Sequence, residues 1–97
     1  MTEKHDRSAR VRRLPAIYVR AVDDEAIVLN IDTEQYVGFD AVARSMWEVL
    51  VTSESIAIAI DHLLEQFDAE REQIEADVDA FIVTLKENDL VVVEPAT

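Results

Sequence analysis

The sequence predicts an α+β domain, with a three-stranded antiparallel sheet followed by three helices. Three observations carry this. Short runs rich in β-branched and aromatic residues, separated by brief polar breaks, fill the first part of the chain. From Asp40 onward the apolar spacing changes to the helical period. Strand-like and helix-like segments are segregated, which favours helices packed on one face of a single sheet. With 97 residues, 49% of them hydrophobic, the chain can build one modest core.

Residues 1–14 hold little apolar content and no period, and read as a flexible basic N-terminal arm. Pro15 marks the entry to the folded domain, 15–94. Ala16–Val22 is the first strand run and Asp23-Asp24-Glu25 a polar break. Ala26–Ile31 is the second run, with turn chemistry at Asn30 and Asp32-Thr33. Glu34–Phe39 is the third, completing an antiparallel meander.

Asp40 suits an N-cap. Val42, Met46, Val49 and Leu50 then fall on one helical face, and the large Trp47 beside them reads as core. After a break at Thr52–Ser55, the residues Ile56, Ile60, Leu63, Leu64 and Phe67 repeat the helical spacing. Ile56–Ile60 also alternates like a strand, but its alanines and the continuing period decide for helix. Asp68 is placed to cap a third helix, with Glu70 and Glu72 complementing its dipole. Ile74, Val78, Phe81, Ile82 and Leu85 form its apolar stripe. Asn88-Asp89 suits the stop, because both tolerate the left-handed conformation. Leu90–Val93 is a terminal apolar run with room for one more short strand.

Composition excludes more than it proposes. With no cysteine there are no disulfides, thiol chemistry, thiolate zinc sites or iron–sulfur clusters. The single glycine, Gly38, rules out a glycine-rich phosphate loop. His5 and His62 are far apart, and Asp61, His62 and Glu65 read as a solvated helix surface, so no metal or other cofactor is expected. No serine sits in a nucleophile pattern. A net charge of −12 repels a phosphate backbone and an anionic membrane, and makes a basic or neutral polypeptide the better partner. No apolar run spans a membrane and no secretory signal is visible, so a cytoplasmic protein is expected. The charge is uneven: six of the nine basic residues precede Val22, and residues 61–79 are densely acidic. The uneven charge reads either as solvated surface or as steering for a partner.

Gly38 inside the third strand run reads either as a bulge or bend, or as a place where another backbone comes close. Were that strand at a sheet edge, its unpaired N–H and C=O groups would template an added strand. Tyr36, Val37 and Phe39 beside it fit core or groove floor equally.

Three segments carry a family resemblance. Tyr36-Val37-Gly38-Phe39-Asp40 stands where the PqqD family has aromatic-x-x-Leu-Asn. Met46-Trp47-Glu48-Val49-Leu50 is similar to its hydrophobic-Trp-x-Leu-Leu. Asp77-Val78, Phe81-Ile82, Leu85 and Leu90-Val91 resemble its Asp-Val…Leu…Gly-Leu-Leu ending, with Asp89 in a slot that often holds glycine. From about Ala16 to Val91 the chain therefore resembles PqqD-like RiPP recognition elements, most of all the stand-alone leader-binding proteins of lasso peptide biosynthesis. The resemblance implies a winged-helix-like fold and no catalysis. It implies that a precursor's leader peptide adds as a strand to the third strand, packs on the third helix, and is presented to a separate leader peptidase or modification enzyme. Carried over by position, the peptide-binding residues are Glu34, Gln35, Tyr36, Val37, Gly38 and Phe39 on the strand, with Asp77, Val78, Phe81 and Leu85 on the helix. Within that helix, Asp77, Phe81 and Leu85 are expected on the groove wall, and Val78 and Ile82 toward the sheet.

Two other classes compete. A winged-helix DNA-binding regulator shares the architecture, but its recognition helix would carry Glu70, Glu72, Glu75, Asp77 and Asp79 toward phosphates. A structural subunit of a biosynthetic enzyme shares most features and lacks only peptide affinity. An acyl or peptidyl carrier is excluded by the absence of an Asp-Ser pair.

Overall fold

The computed structural model describes residues 3–96. Its elements run β1 (Arg10–Arg13), β2 (Ile17–Val22), β3 (Glu25–Asn30), β4 (Gln35–Phe39), α1 (Ala41–Thr52), α2 (Ile56–Gln66), α3 (Arg71–Glu87) and β5 (Val91–Glu94). The three strands expected from the sequence are β2, β3 and β4, an antiparallel meander in that order. Val22 pairs with Glu25, so Asp23 and Asp24 form a two-residue turn, with Asp23 at φ 55°. Arg44 of α1 donates to the carbonyls of Asp23 and Glu25 at 2.9 and 3.2 Å and fixes that tip. The β3–β4 turn puts Glu34 at φ 61°, so the third strand of the meander begins at Gln35 rather than Glu34.

Side-chain alternation sorts the sheet into two faces. Ala26, Val28 and Asn30 of β3, with Val37 and Phe39 of β4, turn toward the helices. Ile27, Leu29, Tyr36 and Gly38 occupy the opposite face. Asn30 is buried yet satisfied: it accepts from the Thr33 N–H at 3.1 Å and donates to the Asp89 carbonyl at 2.7 Å. That bond ties the sheet to the end of α3. There Asp89, in the slot that often holds glycine, adopts φ 56°.

The helix starts follow their caps. The Asp40 carboxylate accepts from the Ala43 N–H at 2.8 Å, and the Ser55 hydroxyl from the Ile58 N–H at 3.1 Å. Asp68 does not cap α3. The Ala69 N–H bonds back to the Phe67 carbonyl, which keeps the link outside the helix, and Glu70 takes the cap position without a side-chain bond. Trp47, Leu50, Ile60, Leu63, Val78, Ile82 and Leu85 close the core between helices and sheet.

The reading of residues 1–14 as a flexible arm fails over their described part. β1 pairs antiparallel with β5, from Arg10 with Glu94 to Arg13 with Val91. Ala9 and Val11 are buried, while Arg10 and Arg12 alternate outward. The arginines conceal a two-residue period. The carbonyls of Arg7 and Ala9 accept from the N–H groups of Ala57 and Ile56 at 2.9 and 2.8 Å. These amides open α2 and have no partner inside the helix, so the segment satisfies them. The folded unit therefore starts well before Pro15.

Candidate functional site

The three-stranded sheet has two edges, β2 and β4, and neither pairs with another strand among the described residues. They differ in what lies beside them. Beyond Ile17, every residue of β2 is exposed, so a strand added there would have nothing to pack on. β4 lies against the helices through the half-buried Val37 and the buried Phe39. The Phe39 ring sits 5.7 Å from Trp47 of α1 and 5.5 Å from Phe81 of α3, tilted against both. The Phe39–Phe81 contact brings α3 alongside the open edge.

α3 buries Ile74, Val78, Ile82 and Leu85. At 3.6 residues per turn, Asp77 and Asp79 lie about 200° apart, on opposite sides of that stripe. The Asp79 side is covered by the chain's own N-terminal segment. The Asp79 carboxylate accepts from the His5 backbone N–H at 3.1 Å and from Arg7 through two bonds, at 2.9 and 3.1 Å. The His5 ring lies 3.1 Å away, and Arg7 also reaches Glu75 at 3.2 Å. Burial alone would push the Asp79 carboxyl up, but the Arg7 guanidinium and His5 together hold it below the usual carboxylate range. The Asp79 hydrogen bond raises Arg7 in turn. Part of the uneven charge is thus spent inside the fold.

The Asp77 side carries no such cover. Asp77 is exposed and takes a bond from Gln73 at 2.9 Å, and Phe81 is half-buried. Next to them is an apolar cleft of about 140 Å³, lined by Val42, Met46, Phe67, Ile74, Asp77 and Val78. Val42, in the first turn of α1, follows Phe39 by three residues, so the cleft reaches the junction of β4 and α1. Sequence reasoning put Val42 and Met46 on the buried face of a helix and did not single out the cleft. No sequence signal marks it, because Val42 fits the apolar stripe and only the fold leaves it exposed.

The ten residues carried over from the resemblance therefore separate. Gln35, Val37 and Phe39 share the helix-facing side of β4, where Phe81 meets Phe39, while Asp77 lines the cleft with Val42. Tyr36 and Gly38 belong to the outer face, and Glu34 to the turn. Leu85, expected on the groove wall, is fully buried, because at about 100° per residue it falls inside the angular range of Ile74, Val78 and Ile82 while Phe81 falls at its margin. Val78 has no solvent-exposed surface of its own and forms the cleft floor. Gly38 is no bulge: it pairs in register with Ile27, and a Cβ there would meet nothing within 4 Å.

Among the described residues no group of three His, Asp or Glu side chains can hold a metal, and no helix is long and apolar enough to cross a membrane. What the arrangement offers is main-chain pairing along β4, an aromatic and aliphatic wall, and an acidic rim at Asp77.

The family profile described as coenzyme PQQ synthesis protein D (PqqD) matches residues 25–91. Comparison with curated proteins finds no match. Among solved structures, TbiB1 in complex with the TbiA(beta) leader peptide superposes with a TM-score of 0.77 at 25% identity, over 82% of this chain and 93% of that one. Lasso peptide synthetase B1 complexed with the leader peptide superposes with a TM-score of 0.76 at 25% identity, over 86% of this chain and 98% of that one.

Proposed function

The chain belongs to the coenzyme PQQ synthesis protein D family, and on that premise we propose that it binds the leader segment of a ribosomally made precursor peptide in lasso peptide biosynthesis. The leader adds as a strand to the free edge of β4 and packs against the Asp77–Phe81 side of α3. It works in the cytoplasm without catalysis of its own, presenting the bound peptide to a separate leader peptidase or modification enzyme.

The observation that carries this reading is the difference between the two sheet edges. Of the two edges of this sheet, β4 alone among the described residues combines an unpaired backbone with an apolar wall beside it. Each main-chain hydrogen bond contributes about 1 kcal/mol net, so pairing alone gives weak affinity. Alternate leader side chains packing on Val37, Phe39 and Phe81, and one entering the cleft beside Val42, supply the rest and give selectivity. Asp77 favours a leader with basic residues at that end. The DNA-binding alternative is opposed by the exposed acids Glu72 and Asp77 on α3.

Calorimetry with the leader peptide of the precursor encoded beside this chain tests the reading. One-to-one binding by the wild type, lost in Val37→Asp, is expected. No binding by the wild type would overturn leader recognition for that precursor.

A further inference from the structure

His5 takes no part in the proposed leader site, yet its side chain is only 5% exposed. Nδ1 lies 3.1 Å from a carboxylate oxygen of Asp79, and Nε2 lies 3.5 Å from one of Glu3. Nε2 is shut off from solvent and has no hydrogen-bond partner among the described residues. A buried polar atom left alone calls for a cause.

The chemistry of the ring supplies one. A neutral imidazole has one N–H and one lone pair. With the proton on Nδ1, the ring donates to Asp79 and turns its lone pair toward Glu3. With the proton on Nε2, the lone pair of Nδ1 meets the Asp79 oxygen. Only the imidazolium offers a donor to both carboxylates. The surrounding charges favour the same state. Asp79 and Glu75 of α3 and the neighbouring Glu3 are the acids about the ring. Arg7 bonds to Asp79 at 2.9 Å and to Glu75 at 3.2 Å, and Lys86 to Glu3 at 3.1 Å. Arg71 reaches Glu75 at 3.9 Å but is held by Asp61 at 2.9 Å. Asp6 bonds to Ser8 instead, and α2 meets the segment through the backbone N–H groups of Ile56 and Ala57. Four acids (Glu3, Asp61, Glu75 and Asp79) thus face three cations (Arg7, Arg71 and Lys86), and a protonated His5 makes the count even.

We propose that His5 is a proton-operated latch, which when charged bridges Asp79 and Glu3 and closes the N-terminal segment over α3. Of the ordinary side chains, imidazole alone changes charge between about pH 6 and 8. As pH rises through that range the ring loses one of its two donors, and residues 3–7 loosen from α3. The closed segment holds one proton more than the open one, so acid favours closure. Asp79 is held low and Arg7 high, so neither changes charge in the same window. The pairing of β1 with β5 begins only at Arg10, so the opening stays local. The latch lies across α3 from Asp77 and Phe81 and does not rest on the leader-binding reading.

Amide hydrogen exchange of the full chain without ligand tests it at pH 6 and pH 8, each rate normalised to the unstructured rate at that pH. The Ala57 N–H donates to the Arg7 carbonyl, opens α2 and has no partner inside the helix, so it reports closure; Leu63, inside α2, is the reference. Protection of Ala57 relative to Leu63 is expected to fall at least about threefold from pH 6 to pH 8 in the wild type and in His62→Gln, and to stay flat in His5→Gln. No fall in the wild type would overturn the latch. So would an equal fall in His5→Gln, which keeps the α-amino group and would assign the effect there. Should His5→Gln not fold, the wild type decides alone: the His5 ring proton shifts and the Ala57 protection must change with one midpoint, and two separate midpoints would overturn the inference.

Discussion

The two sides of α3 show how one helix is both anchored and left available. On the Asp79 side, His5 and Arg7 of the N-terminal segment lie against the helix, with four hydrogen bonds onto one carboxylate. On the Asp77 side the helix faces an open strand edge and an apolar cleft, with no segment of the described chain across it. The difference teaches that rigidity on one side prepares the other. A helix fixed by Arg7 and His5 presents Phe81 to β4 without having to be ordered at the moment of binding, which lowers the entropic cost of association.

The largest effect expected from breaking this comparison is Asp79→Ala. It takes the carboxylate from the His5 N–H, leaves Arg7 with Glu75 alone, and should cost about 3 kcal/mol in urea denaturation, while leader affinity of the folded protein stays within about twofold. A comparable loss of affinity would show that the two sides are not separable.

The same carboxylate sets an acid dependence. Its folded-state value is lowered relative to the unfolded chain, so its contribution is fully present above about pH 4 and is lost as pH falls through the folded value. The stability difference between wild type and Asp79→Asn should therefore shrink below about pH 4. A difference that does not shrink as pH falls below about 4 would contradict the ionic role.

Phe81→Ala probes the open side. Losing the ring contact with Phe39 should cost about 1–2 kcal/mol of stability, smaller than Asp79→Ala, but it should weaken leader binding about tenfold or more in calorimetry. The two substitutions thus have opposite signatures.

The smallest effect expected is Gly38→Ala. With ordinary strand geometry and open space around the Cβ, it should change stability by no more than about 0.5 kcal/mol, on the stabilising side.

Much of this was legible in the sequence because its causes are local. The β2–β4 meander follows from β-branched runs between turn residues, α1 from its period and the cap at Asp40, and α2 from its period after the break at Thr52–Ser55. Choosing helix for Ile56–Ile60 succeeded because its alanines favour helix and the period continued to Phe67, at the end of α2. What escaped has non-local causes. β1 is four residues long and finds its partner 80 residues away in β5. Its one buried residue, Val11, and Ala9 just before it are hidden among arginines. His5 is buried only because Asp79 waits on α3. The placement of Leu85 inside and Phe81 at the margin depends on a small rotation of α3. The rotation is fixed by contacts of Val78 and Ile82 and not by the stripe pattern alone. Edge status for β4 needed the strand order, which the expected meander already contained.

Amide hydrogen exchange with and without saturating leader peptide tests the central claim most directly, because it reads each edge of the sheet separately. The account predicts slowed exchange at Gln35–Phe39, with Ile17–Val22 unchanged. Slowed exchange at Ile17–Val22, or none at Gln35–Phe39 with leader bound, would contradict it.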